Sequence, residues 1–131
     1  IEDAAGSLPV DMVGLDRELR ITWANQAALH VIGRPLAEIV GEHWLDIFPT
    51  LAPRRPLYER VLAGESFDFD RVDLVSPSGR PLAVATSLRP IVGRDGTIGG
   101  IMIMGRDVGA LYQARIERQQ AERRLAVLVE K

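Results

Sequence analysis

The sequence predicts an α+β domain, on three observations. Apolar residues form two short runs near the start, recur at helical spacing through a middle stretch, and return to a period near two in the second half. Glycine- and proline-rich turns bound these runs, and the strand patterns gather at the two ends instead of alternating one by one with helices. The last stretch has no breaker and reads as one long helix.

The elements come in a definite order. Asp11 to Ala24 (DMVGLDRELRITWA) holds two apolar runs separated by Asp16-Arg17-Glu18, a polar cluster suited to a tight turn, and predicts a β-hairpin. Asn25 is placed to cap a short helix that Gly33 stops, and Pro35 stands where the next helix can begin. Gly41, Pro49, Pro53 and Pro56 divide the next stretch into short helical pieces. Leu57, Tyr58, Val61 and Leu62 then recur at helical spacing until Gly64, which predicts one longer helix. Three strands are predicted over residues 66–76, 80–90 and 97–106. Within them Leu82, Val84, Thr86 and Leu88 alternate with Ala83, Ala85, Ser87 and Arg89, and Ile98 to Met104 is almost wholly apolar. Ser76-Pro-Ser-Gly79 and Gly93-Arg-Asp-Gly96 are the turns between them. Asp107 is a natural N-cap for the helix that begins at Val108. The chain therefore divides into a cap segment, 1–10, expected to be helical, a domain over 11–107, and a linker helix over 108–131.

Composition excludes several classes of function. A chain of 131 residues, 47% hydrophobic with charges of both signs, suits one compact domain that needs no staple. The absence of cysteine removes disulfides, thiolate nucleophiles and sulfur-ligated metals, and fits a reducing compartment, so a cytoplasmic location is expected. No apolar run approaches the roughly 20 residues that span a bilayer, so this segment is expected to make no membrane contact. A net charge of -2 gives no pull toward nucleic acid, and none is expected as a partner. A start without Met and an end inside a charged stretch suggest a piece of a longer protein. His30 lies away from the helix face that carries Asn25, Leu29 and Ile32, and His43 borders an apolar face beside Glu42 and Asp46, so both read as surface histidines. Neither a metal constellation, a nucleophile elbow nor a phosphate loop is legible, and no catalysis is expected of this segment.

Asp16, Ile21, Asn25, Gly33 and Gly41, then Leu62-Ala-Gly-Glu65, Pro77-Ser-Gly79, Pro90-Ile91, Asp95-Gly96 and Arg106-Asp107-Val108, share an order and spacing that resemble a PAS domain, or sensory box, over about residues 11–108. The resemblance is to the kind found in bacterial sensor histidine kinases. It implies the PAS fold: a five-stranded antiparallel sheet in spatial order 2-1-5-4-3, helices folded across one face to enclose a cavity, and a C-terminal signalling helix. By alternation Leu82, Val84, Thr86, Leu88, Ile101 and Ile103 face that cavity, joined by Leu29, Ile32, Trp44, Phe48, Tyr58 and Leu62 from the helices. The same pattern fits a filled apolar core, whereas a ligand site also needs convergent polar groups. Asn25, Thr86, Tyr58 and Trp44 are the candidates for these. The branch of the family that joins flavin to a cysteine thiol is excluded, because there is no cysteine. Haem-binding relatives take an axial histidine from the long central helix, and Pro53 to Ala63 contains none. Non-covalent flavin or a small apolar ligand stays open as the cofactor.

The other face of the sheet would present Ala83, Ala85 and Ser87 beside Ile98, Met102 and Met104, an apolar patch that needs covering. The segment Ile1 to Pro9 or a second copy can supply the cover. The chain is expected to be a homodimer through Ala83, Ala85, Ile98, Met102, Met104 and Leu111. In the terminal helix a heptad reading places Leu111, Arg118 and Leu125 at one core position and Ala114, Ala121 and Leu128 at the other, a possible coiled coil. An amphipathic helix that packs back on the domain is the alternative. Within the family, an Asp at the end of the last strand passes the signal into such a helix, and Asp107-Val108-Gly109 stands where Asp-Ile-Thr is usual. Asp107, free to pair with an arginine near the junction, is the expected relay residue. The resemblance therefore implies a sensory and dimerisation module in a two-component signalling protein with a histidine kinase as output domain. A cyclic-dinucleotide enzyme as output, and a dimeriser without ligand, are the alternatives.

Overall fold

The protein is described by a computed structural model over residues 10–129. The expected cap segment falls almost wholly outside the described residues. Strands β1 (Asp11–Asp16) and β2 (Ile21–Ala24) form the hairpin, and helices α1 (Gln26–Ile32), α2 (Leu36–Ile39) and α3 (Trp44–Ile47) come next. A 3₁₀ segment (Pro49–Arg54) leads into α4 (Arg55–Leu62), after which come β3 (Phe67–Val75), β4 (Pro81–Val92), β5 (Ile98–Asp107) and α5 (Gly109–Val129). The sheet is antiparallel throughout, in the order β2-β1-β5-β4-β3. Since β2 and β3 are its opposite edges, the chain between them must cross the whole sheet, and the short helices make that crossing over one face.

Local chemistry sets each corner. The Asp16 carboxylate accepts the backbone N–H groups of Glu18 and Arg20, both at 2.9 Å, which closes the hairpin turn. That turn holds Leu19 at φ 66, unusual for a residue with a side chain, and the strain is tolerated because Leu19 is only 2% exposed in the core. Asn25 ties three pieces together. Its side-chain oxygen accepts the N–H of Ala28, capping α1, and the N–H of Met12 in β1, both at 3.0 Å, while its amide donates to the Val10 carbonyl at 2.9 Å. Gly33, in the left-handed conformation, ends α1 with its N–H on the Leu29 carbonyl.

The deepest core residues, Leu15, Ile21, Ile39, Val61 and Ile101, come from five different elements. They meet because β5 lies between β1 and β4. At Gly100 the β1 backbone approaches so closely that a Cβ would sit 1.9 Å from the Leu15 carbonyl oxygen. Helix α5 leaves the domain after Val108, and none of its described residues is buried. The alternative of a helix folded back on the domain is therefore not what forms.

Gly100→Ala is expected to cost about 3 kcal/mol or more in urea unfolding, since the new methyl group meets backbone that cannot move aside. Gly99→Ala, where nothing lies within 4 Å of the new methyl, is expected to stay within about 1 kcal/mol of wild type.

Candidate functional site

Between the helices and the sheet lies a cavity of about 70 Å³. It occupies one end of the sheet, where β5 pairs Ile103 with Val13 and Leu88, and Gly105 with Asp11 and Thr86. Eight of the residues expected to line it do so: Ile32, Trp44, Phe48, Tyr58, Val84, Thr86, Leu88 and Ile103.

Five candidates stand elsewhere. Ile101 has the inward orientation but sits further along β5, opposite Leu15 and Pro90, where the helices close directly over it. Leu62 ends α4 on that same closed side, half-buried against the core. In α1 the inward pair is Ala28 and Ile32, one turn apart, so Leu29 packs against the core at the flank. Asn25 is committed to capping α1 and holding β1, and takes no part in the lining. Leu82, also expected to face inward, is buried without reaching the cavity.

The lining also contains polar residues that sequence reasoning missed. Asp11 enters from the first residue of β1, and Arg54 from the end of the 3₁₀ segment, with its Cζ 5.5 Å from the centroid of the Phe69 ring. Their only sequence signal was proximity to elements assigned to the cavity, since an exposed strand end or loop arginine looks the same. The Trp44 indole N–H donates to the Tyr58 hydroxyl at 3.0 Å, and the Trp44 and Phe48 rings pack with centroids 4.8 Å apart. Burial pushes the Tyr58 hydroxyl above its usual pKa, and the Trp44 hydrogen bond and the Arg54 charge partly oppose that shift. Burial also raises the Asp11 carboxyl, and the negative charge of Asp107 adds to it. The cavity wall thus ends at an acid that senses the residue from which α5 departs.

At that junction Asp107 behaves differently from expectation. Its carboxylate accepts the Gly109 N–H at 2.8 Å, and among the described residues it forms no ion pair with an arginine. Its role in the fold is to cap α5. Val108 is buried and donates its N–H to the Ala83 carbonyl at 2.8 Å, and the guanidinium groups of Arg71 and Arg115 lie 4.7 and 5.3 Å from the centroid of the Tyr112 ring. These contacts fix the direction in which α5 starts.

The outer sheet face is arranged differently from the alternation pattern alone. Ala83 is already buried within the chain at Val108. Ile98 reaches within 3.8 Å of the position of a Cβ on Gly64, so the register shift between Ile91 and Val92 turns it toward the end of α4. Ser87 and Arg89 both donate to Asp68, which makes the β3 side polar. Met102, Met104 and Ala85 remain half-buried on this face, and the register places Met12 beside Met104, and Gly14 between Met102 and Trp23. Trp23, 44% exposed, belongs to the apolar patch that the sequence pattern did not assign to it. Leu111 is 51% exposed on α5.

His30 is exposed. His43 is not a bland surface residue, because its Nδ1 accepts the Leu45 N–H at 3.1 Å and caps α3. Among the described residues no three His, Cys, Asp or Glu side chains gather as a metal site, and no helix is long and apolar enough to cross a membrane.

Comparison with known proteins agrees with this architecture. A sequence profile of the PAS fold matches residues 6–113. No curated protein matches the chain in sequence. Among solved structures, VqmA bound to DPO superposes with a TM-score of 0.66 at 23% identity, covering 79% of this chain and 55% of that one. The VqmA–ligand–DNA complex of Vibrio cholerae gives 0.65 at 21% identity, covering 87% and 56%. The PAS domain of a Colwellia psychrerythraea protein gives 0.65 at 14% identity, covering 75% and 85%. That of nitrogen regulation protein NR(II) from Vibrio parahaemolyticus gives 0.58 at 22% identity, covering 75% and 88%. The chain spans little more than half the length of VqmA.

Because folding raises the Asp11 pKa, the protonated acid is favoured in the folded state, and ionising it at neutral pH costs stability. Asp11→Asn is expected to raise the thermal midpoint at pH 7, and the gain should disappear as pH falls to the ordinary carboxylate range near about 4. Calorimetry of both proteins across that range measures the effect.

Proposed function

The chain belongs to the PAS family, and from that premise we propose that it is the sensory and dimerisation module of a cytoplasmic two-component signalling protein whose output domain is a histidine kinase. The observation that carries this reading is the position of the cavity. Its wall includes Val84, Gly105 and Asp11, and Val84 pairs with Asp107, the residue that caps α5. A molecule in the cavity therefore presses on the strand ends that launch the helix. It shifts the helix between two arrangements only by binding one of them better than the other. Asp107 relays this change through its cap on Gly109.

Likeness to the PAS domain of NR(II) supports a kinase as output. The likeness to VqmA supports a second reading, a ligand-responsive DNA-binding regulator, since VqmA is solved with ligand and DNA. A net charge of -2 on this domain therefore does not argue against nucleic acid as a partner of the whole protein. The cavity, at about 70 Å³, favours a compact small molecule over flavin as the ligand. Met12, Trp23, Met102 and Met104 favour a homodimer through the outer face of the sheet. The exposed Leu111, Leu125 and Leu128 favour pairing of α5 as a coiled coil in that dimer.

Light scattering on the 131-residue chain is expected to give a dimer, with Met102→Glu weakening it about tenfold or more, because the new charge would be buried unpaired. A monomer at every concentration overturns the dimer. In the full-length protein Asp107→Ala is expected to uncouple autophosphorylation from ligand, and a variant that responds like wild type removes Asp107 from the relay. Native mass spectrometry of freshly prepared protein is expected to show a small bound molecule. A cavity filled by its own side chains at high resolution, with nothing co-purifying, leaves only a structural dimeriser.

A further inference from the structure

Two polar groups of the cavity are hydrogen-bond donors without acceptors. Tyr58 is 4% exposed, and its oxygen already accepts the Trp44 indole N–H, so its own proton still needs an acceptor. None is found among the described residues. A buried hydroxyl in that condition calls for an occupant. Arg54 stands on the same wall, half-buried over Phe69, and its guanidinium has neither a hydrogen bond nor an ion pair among the described residues. Arg34, Arg60, Arg71 and Arg89 each hold a carboxylate, whereas Arg54 is the arginine of the cavity lining and holds none among the described residues.

The two donors act at one place. Arg54 and Tyr58 both come from the helical wall, and the Arg54 charge favours the ionised form of the Tyr58 hydroxyl, while Asp11, the acid of the lining, lies on the sheet wall beside Gly105. Apart from the Thr86 hydroxyl, which points to the Val84 carbonyl at 3.4 Å, the remaining surface is apolar. A cation would meet a guanidinium and a hydroxyl proton, and a dianion would carry its second charge into apolar walls, at high desolvation cost. An inorganic anion would leave those walls unused.

Resting on the reading of this cavity as a ligand site, we propose that it takes a compact monocarboxylic acid, its carboxylate held by the Arg54 guanidinium and the Tyr58 hydroxyl and its short apolar body lying against Phe48, Val84 and Ile103. The acid accepts the proton that Tyr58 cannot otherwise place, and the charge-assisted bond to Arg54 supplies discrimination against neutral analogues. Polarising the Tyr58 hydroxyl also strengthens the Trp44 bond, which carries the signature of binding to α3.

The chain contains two tryptophans, and only Trp44 touches the cavity, so their indole N–H signals in nitrogen-15 NMR give a probe and an internal control. Isovalerate is expected to move the Trp44 signal saturably and leave Trp23 in place. Isovaleramide, of the same shape but uncharged, is expected to bind about tenfold more weakly or worse, and Arg54→Gln to abolish that difference. Tyr58→Phe is expected to weaken the acid as well; should it fail to fold, Arg54→Gln, at a half-exposed position, decides alone. Equal binding of acid and amide, or an acid affinity unchanged in Arg54→Gln, overturns the inference and leaves the cavity reading intact. A Trp44 signal that moves with xenon but with neither organic probe also overturns it. A Trp44 signal that moves with none of the three removes the cavity reading itself.

Discussion

The fold depends on one pairing, that of β5 with β1 and β4 at once. Strand β5 is made after every other strand, yet it supplies the centre of the sheet, joining the N-terminal hairpin to the β3–β4 pair. Without it the two halves of the domain share no ladder, and Leu15 and Ile101 have no common core to enter. Glycine at position 100 is the condition for that closure, because the β1 carbonyl at Leu15 occupies the space of a side chain there. Gly105 does the same at the other end, where a Cβ would meet Val84 Cγ1 at 2.9 Å. Space for a cavity at that end, and its absence at the Ile101 end, come from how the helices lie over this one strand.

Asn25 converts the sheet into a container. By satisfying Met12, Val10 and Ala28 from one side chain, it fixes the angle at which the chain leaves β2 and enters α1. That angle directs Ala28 and Ile32 over the cavity. Helices as short as α2 and α3 are not stable by their own hydrogen bonds. They hold because Ile39, Trp44, Leu45 and Ile47 are buried and because His43 caps the start of α3. The helical side of the domain is therefore held by packing more than by its own backbone ladder, and the sheet is the frame on which it packs. The polar groups of the cavity divide the same way: Tyr58, Trp44 and Arg54 sit on the helical side, and Asp11 and Thr86 on the sheet beside the root of α5.

Much of this was legible in the sequence where the cause is local. The hairpin comes from Asp16, whose carboxylate closes the turn on the residues just after it, and α1 from Asn25 and Gly33, a cap and a stop that bracket one short helix. Alternation along β4 and β5 correctly oriented Val84, Thr86, Leu88 and Ile103, because a strand's period does not depend on its neighbours. The outer-face assignment of Ile98 and the exposure expected of Ala83 failed for a different reason. A register shift at Ile91 and Val92 and the arrival of Val108 are events between segments, and no period in either segment reports them.

By itself the sequence determined the α+β class, the order and rough bounds of the elements, and, through motifs matched in order, the PAS family. All of these rest on interactions between residues near one another along the chain. Only the tertiary structure decided that the cavity occupies the Gly105 end of the sheet, that Ile101, Leu62 and Leu29 lie outside it, and that Arg54 and Asp11 belong to it. Which end stays open is set by the crossing of the helices over β5, and which charge enters is set by where the 3₁₀ segment and the first residue of β1 come to rest. Those are distances between residues far apart in sequence, and side-chain pattern alone carries no measure of them.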